Sequence, residues 1–207
     1  MSDNYSHSSG SPRFLIGVAG SMAASRVPAH LDMIRATLGG TITVVMTHTA
    51  AQFVPPQMLR LSAERVVHGE DPVDWPTDRP SRLAGDHDLV VVLPATAHML
   101  AVAAHGAAPN RLATVILSSP RPSVFFPHMG AAMWEKPAVR RNVEQLRADG
   151  HHVVDPVWEE AHDIVTGEIH RHPALPDPER VVAELQRLLA HHQDLRATRT
   201  HRGESVS

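Results

Sequence analysis

The chain has 207 residues, 43% of them hydrophobic and 20% charged, so one α/β domain with a packed core fits the length and wholesale disorder does not. Its 19 Lys and Arg against 22 Asp and Glu leave a formal charge of −3, which argues against a general binder of nucleic acid or of acidic membranes. Cysteine is absent, which excludes disulfides, a thiolate zinc site, a thiol nucleophile and a redox dithiol.

Residues 1–12 are polar and small, with no apolar run. They read as a disordered leader to a cytoplasmic protein rather than as a signal peptide or anchor. The apolar run from Phe14 to Ala19 reads as a buried strand. From about Ala23 to Leu38, Val27, Leu31, Ile34 and Leu38 recur at helical spacing, and Gly39-Gly40 ends the helix. Thr41 to Met46 is β-branched and forms the second strand. Residues 49–67 read as one or two short helices broken at Pro55-Pro56, and 69–86, rich in Pro, Asp and Gly, as a loop.

Asp88 to Leu93 is a continuous apolar run, the kind that sits at the centre of a parallel sheet. A small-residue helix from about Ala97 to His105 follows, then a strand at Ala113 to Leu117 and another at Val124 to Phe126. Pro137 opens a helix that Gly150 closes, in the N1 and C′ positions these residues favour. Val153-Val154 is a further strand. The last helix is capped by Asp177, with Pro178 at N1, and carries Val181, Leu185, Leu188 and Leu189 on one face. The polar stretch 191–207 reads as a disordered tail, which leaves 13–190 as the folded domain. No window is apolar for long enough to span a membrane.

Strands alternating with helices predict an α/β fold with a doubly wound parallel sheet, its ligand held at the carboxyl ends of the strands. The loops after Ala19, Met46, Leu93 and Phe126 then share one rim. In the first, Gly20-Ser21-Met22-Ala23 is a strand–turn–helix junction that can offer N–H groups and a hydroxyl to a phosphate, or serve as a plain tight turn. It is neither G-x-G-x-x-G nor a P-loop. In the third, the small residues of Pro94-Ala95-Thr96-Ala97-His98 let a flat ligand approach the backbone, or Thr96 simply caps a helix. In the fourth, Met129, Met133 and Trp134 can cover an apolar ligand. The 16 His residues show no metal-binding spacing.

Taken together, Gly20-Ser21-Met22-Ala23-Ala24, the run from Thr47 to Val54, Pro94-Ala95-Thr96-Ala97-His98-Met99 and the run from Pro127 to Trp134 resemble the homo-oligomeric flavin-containing cysteine decarboxylases, in order and in spacing. The resemblance covers about Phe14 to Leu189 and implies a Rossmann-like flavoprotein that binds FMN, or alternatively FAD. It implies that Gly20, Ser21, Met22, Ala23, Thr47, Thr49, Phe53, Pro94, Ala95, Thr96, Ala97 and His98 hold the cofactor, with Ser21 on the phosphate. Met129, Gly130, Met133 and Trp134 then meet the substrate. It further implies a homo-oligomer, a trimer or a dodecamer of trimers, with flavin sites at subunit interfaces.

The chain departs from the family pattern at three places. The motif Asn residues are replaced by His98 and Gly130, and the family's active-site His falls at Pro80 or a neighbour. His98 and His128 are the imidazoles left for proton handling. Within the family, the branch that acts on phosphopantothenoylcysteine reduces its enethiol with a Cys in a mobile clamp. Here the corresponding stretch, about Val157 to Pro173, contains Glu159, Glu160, His162, Asp163 and Arg171 but no Cys. The resemblance therefore implies the peptide branch: oxidative decarboxylation of a C-terminal cysteine on a ribosomal precursor peptide, giving an aminoenethiol. The replaced residues leave one alternative, a flavin-binding partner or regulatory subunit without decarboxylase activity.

Overall fold

The structure is a computed structural model that describes residues 10–69, 78–162 and 166–203, with side chains as far as residue 190. Six parallel strands form the central sheet: β1 (Arg13–Val18), β2 (Thr41–Met46), β3 (Arg65–Val67), β4 (Leu89–Ala95), β5 (Val124–Pro127) and β6 (His152–Val153), in the spatial order β3-β2-β1-β4-β5-β6. The chain winds outward from β1 to β3, returns to pair β4 against β1, and winds out the other way. The β1/β4 boundary is therefore the topological switch point, where loops on either side diverge and leave a crevice.

Alternation along the strands builds two apolar layers. Phe14, Ile16 and Val18 of β1, with Leu89, Val91 and Leu93 of β4, point to the face covered by α1 (Val27–Leu38) and α9 (Pro178–Gly203). Leu15 of β1, with Val90, Val92 and Ala95 of β4, points to the opposite face. That face is covered by α4 (Pro80–Gly85), α5 (Ala97–Ala104), α6 (Arg111–Ser118) and α8 (Pro137–Ala148). Gly17 has no side chain because Leu112 of α6 packs there: an added Cβ would stand 2.4 Å from Leu112 Cδ1. Short helices α2 (Ala50–Phe53), α3 (Pro56–Leu59) and α7 (Ala131–Trp134) lie in the connections. β7 (Val157–His162) and β8 (Ile169–Ala174) form a separate antiparallel hairpin that packs against α7.

The doubly wound parallel sheet is as expected, and so are α8 with Pro137 at N1 and α9, whose Asp177 Oδ1 accepts from the Arg180 N–H at 2.8 Å. The expected strand at Ala113–Leu117 is instead within helix α6. Asn110 caps it, its Oδ1 accepting from the Ala113 N–H at 2.9 Å, and Leu112, Val115 and Ile116 share its buried face. A short apolar run has no period of its own, so burial of the i, i+3, i+4 set against the sheet decided the helix. β3 and α4 lie inside stretches expected to be helix and loop. The first expected helix divides into a 3₁₀ turn, Met22–Arg26, followed by α1. Of the expected leader, residues 1–9 lie outside the described residues. The backbone of α9 continues to Gly203, past the start of the expected tail.

Candidate functional site

The four rim loops meet at the switch point around a crevice of about 790 Å³, within the range typical of small-molecule sites. Two backbone bonds knit its floor. The Ala19 N–H donates to the Pro94 carbonyl at 3.3 Å, and the His128 N–H donates to the Ala95 carbonyl at 2.9 Å, so the β1 and β5 loops are both tied to the end of β4.

Each loop turns inward for a local reason. After β1, Gly20 lies so close to the β2 loop that a Cβ would stand 2.5 Å from Thr49 Cβ and Cγ2; only glycine fits. Ser21 then caps the 3₁₀ turn, its Oγ accepting from the Ala23 N–H at 3.4 Å. The N–H groups of Gly20 and Ser21 have no hydrogen-bond partner among the described residues. After β2, Thr47 Oγ1 accepts from the Ala50 N–H at 3.2 Å and starts α2, which brings Phe53 to the crevice. After β4, Thr96 Oγ1 accepts from the Met99 N–H at 3.2 Å and caps α5. After β5, Gly130 begins α7 without a side-chain cap, and Met129 and Met133 face the opening.

Most of the sequence-predicted site residues line this crevice: Gly20, Ser21, Met22, Thr47, Thr49, Phe53, Thr96, Ala97, His98, His128, Met129, Gly130 and Met133. Four do not. Ala23 is buried beneath the turn, Pro94 and Ala95 belong to β4, and Trp134 is 2% exposed in the core, with the Arg140 guanidinium 5.2 Å from its ring centroid. These four support the site from behind. Pro80 opens α4 and does not reach the crevice. His48, Pro109 and Asn110 also line it and were missed in the sequence. A Pro-Asn pair ahead of a helical pattern was the available signal for Asn110, and it was hidden by reading the following run as a strand.

The β1 and β5 loops also meet through side chains. Ser21 Oγ and His128 Nδ1 are 2.7 Å apart. Burial holds the His128 imidazole below the usual histidine range, and the charges of His172 and Arg26 push the same way while Glu159 opposes them. Glu159 and His172 are directly paired across the β7–β8 hairpin, and both lie within electrostatic reach of His128. Asp163, expected in this clamp, lies outside the described residues.

A crevice that combines hydroxyls, unpaired N–H groups at a Gly-Ser turn and soft apolar walls suits a flat ligand with an anionic end. The architecture is that of the Rossmann-like α/β proteins, which bind such ligands at the switch point. Comparison with known proteins narrows that class. The profile of the Flavoprotein family matches residues 2–188, and the chain belongs to that family. It is 34% identical over 177 residues to mersacidin decarboxylase of Bacillus sp. (strain HIL-Y85/54728), covering 84% of this chain and 89% of that one. Among solved structures it is similar to MrsD from Bacillus sp. HIL-Y85/54728, with 30% identity, a TM-score of 0.72, and 85% and 95% of the two chains covered. It is also similar to SpaF, an FMN-dependent cysteine decarboxylase, with 37% identity, a TM-score of 0.65, and 76% and 89% covered. Among the described residues, no helix is long and apolar enough to cross a membrane.

Proposed function

We propose that the chain catalyses flavin-dependent oxidative decarboxylation of a C-terminal cysteine on a ribosomally made precursor peptide, leaving an aminoenethiol, in the cytoplasm. One observation carries the reading: four motifs far apart in sequence converge on one crevice, in a chain that matches mersacidin decarboxylase over most of both lengths. FMN fits the crevice, and the SpaF relative is FMN-dependent by description. Gly20, Ser21, Met22, Thr47, Thr49, Thr96, Ala97 and His98 would hold it directly, with Phe53 against it. Ala23, Pro94 and Ala95 keep those loops in place.

The chemistry supplied by a bound flavin is two-electron oxidation of the cysteine, with two hydrogens removed and CO₂ lost from Cα. The chain's own residues bind, orient and shield. Met129, Gly130 and Met133 border the substrate side, and buried Trp134 fixes α7 beneath them. The β7–β8 hairpin sets Glu159 and His172 within electrostatic reach of His128. His98 and His128 are the imidazoles positioned to move a proton. With no cysteine in the chain, the clamp thiol that the reducing branch requires is missing, in line with a product that leaves at the enethiol stage. Met22, 74% exposed, and Phe53 and Met133 form an apolar rim suited to a second copy of the chain, in line with a trimer or higher homo-oligomer.

The test is mass spectrometry of Cys-terminal peptides incubated with the flavin-loaded protein. The expected product is lighter by about 46 Da, CO₂ plus two hydrogens. Flavin-loaded protein that leaves every such peptide unchanged would overturn the reading in favour of a flavin-binding partner without decarboxylase activity. The decarboxylase relatives matched along the chain speak against that alternative.

A further inference from the structure

We propose that His128 is a positioning residue for Ser21, turning the serine hydroxyl into a donor toward the anionic phosphate end of the flavin. The inference rests on the flavin reading above.

The geometry is a contact between two loops 107 residues apart, Ser21 Oγ to His128 Nδ1 at 2.7 Å, inside the crevice. A serine hydroxyl has one hydrogen to give. If Nδ1 is bare, Ser21 spends that hydrogen on the imidazole and shows a ligand only lone pairs, which repel an anion. If Nδ1 carries a proton, it donates to Ser21 Oγ, and the serine hydrogen is released to point at a ligand oxygen. The serine is thus a donor or an acceptor toward the crevice according to the state of His128.

The surroundings favour an anion at this spot. The unpaired N–H groups of Gly20 and Ser21 are part of the same turn, and the turn ends in Arg26. The charges that reach His128 are Arg26 from that turn and His172 from the hairpin, with Glu159 the opposing carboxylate. Without a ligand, burial first and then the Arg26 charge favour the neutral imidazole. A phosphate dianion reverses the balance by favouring the protonated ring and, through it, the donating serine.

The test compares FMN with riboflavin, which lacks only the phosphate. Each is titrated into the full chain freed of flavin, and binding is read from quenching of flavin fluorescence. The wild-type chain is expected to prefer FMN. His128→Ala should weaken FMN about tenfold more than it weakens riboflavin, as expected for one charge-assisted hydrogen bond. His128→Asn places an amide donor near the Nδ1 position and should restore most of the loss; it also carries the test if the alanine variant does not fold. In a Ser21→Ala background, His128→Ala should add little. Between about pH 8.5 and about pH 6.5 the wild-type preference for FMN should grow, and that of His128→Asn should follow only the titration of the phosphate itself.

Equal loss of FMN and riboflavin, an unchanged preference in His128→Ala, or multiplying effects of the two substitutions would each overturn the pairing. A wild-type chain that binds neither flavin overturns the flavin reading as well.

Discussion

Gly20→Ala is the most direct perturbation of the site. The new Cβ would stand 2.5 Å from both Thr49 Cβ and Thr49 Cγ2, and 3.2 Å from the Thr49 carbonyl carbon. Favourable carbon contacts begin at about 3.5 Å, so the deficit is about 1 Å. A rotamer change relieves Cγ2 but not Cβ, which is fixed to the backbone, so the β1 and β2 loops must move apart. Overpacking of this kind costs about 1–3 kcal/mol, and the backbone involvement puts this case near the upper end. For a domain of this size, 3 kcal/mol lowers Tm by about 6–12 °C. The assay is thermal unfolding followed by circular dichroism, with flavin affinity measured in parallel; both should fall. Adding Thr49→Gly removes both clashing atoms, so the double variant should be more stable than the sum of the single effects requires. A Gly20→Ala protein with wild-type Tm, or strictly additive single effects, would refute the claim that glycine is needed for this loop contact.

Two other expectations follow from the same structure. Gly130 has open space around its Cβ position and an extended φ/ψ of −63°/151° at the N-cap of α7, so Gly130→Asn should fit without strain. It should gain about 0.5–1 kcal/mol from capping, read as a higher urea midpoint, and, by returning an amide to the substrate side, increase turnover of a Cys-terminal peptide. The second expectation concerns pH. His87, His128 and His151 are all held below the usual histidine range, chiefly by burial, so the folded state binds their protons less readily than the unfolded chain. Their stabilising effect is present in full above the unfolded histidine value of 6.5 and is lost as pH falls below it toward the folded values. Urea midpoints should therefore drop as pH is lowered from about 7.5 to about 5.5. His87→Gln should flatten part of that slope, since burial of the His87 ring outweighs its Nδ1–H bond to the Leu83 carbonyl at 2.6 Å, which by itself favours the charged form. A slope unchanged in that variant would remove His87 from the account.

Much of the fold was legible in the residues themselves. The runs Phe14 to Ala19 and Leu89 to Leu93 are apolar on both faces because a parallel sheet covered by helices buries both, and such a run announces itself without knowledge of its neighbours. Pro137 and Asp177 mark helix starts through the local demands of φ and of unpaired N–H groups. The stretch Leu112 to Leu117 was not legible, because a short run of five apolar residues and Thr114 satisfies a strand and a helix equally. The helix followed from the Asn110 cap together with packing of one face on the sheet. β3 is three residues at the sheet edge, too short for a period, and its identity came from pairing with β2.

The site divides along the same line. Strand–helix alternation pointed to four loops on one rim, and the resemblance to the flavin-containing cysteine decarboxylases pointed to most of the residues that line the crevice. It could not show that Ala23, Pro94, Ala95 and Trp134 stand behind the wall rather than in it, nor that Asn110 enters it. It could not bring His128 to Ser21 either. That contact depends on β1 and β5 being held on either side of β4 and on both loops being tied to its end, a relation set by sheet order and register, which residues 107 positions apart do not encode locally.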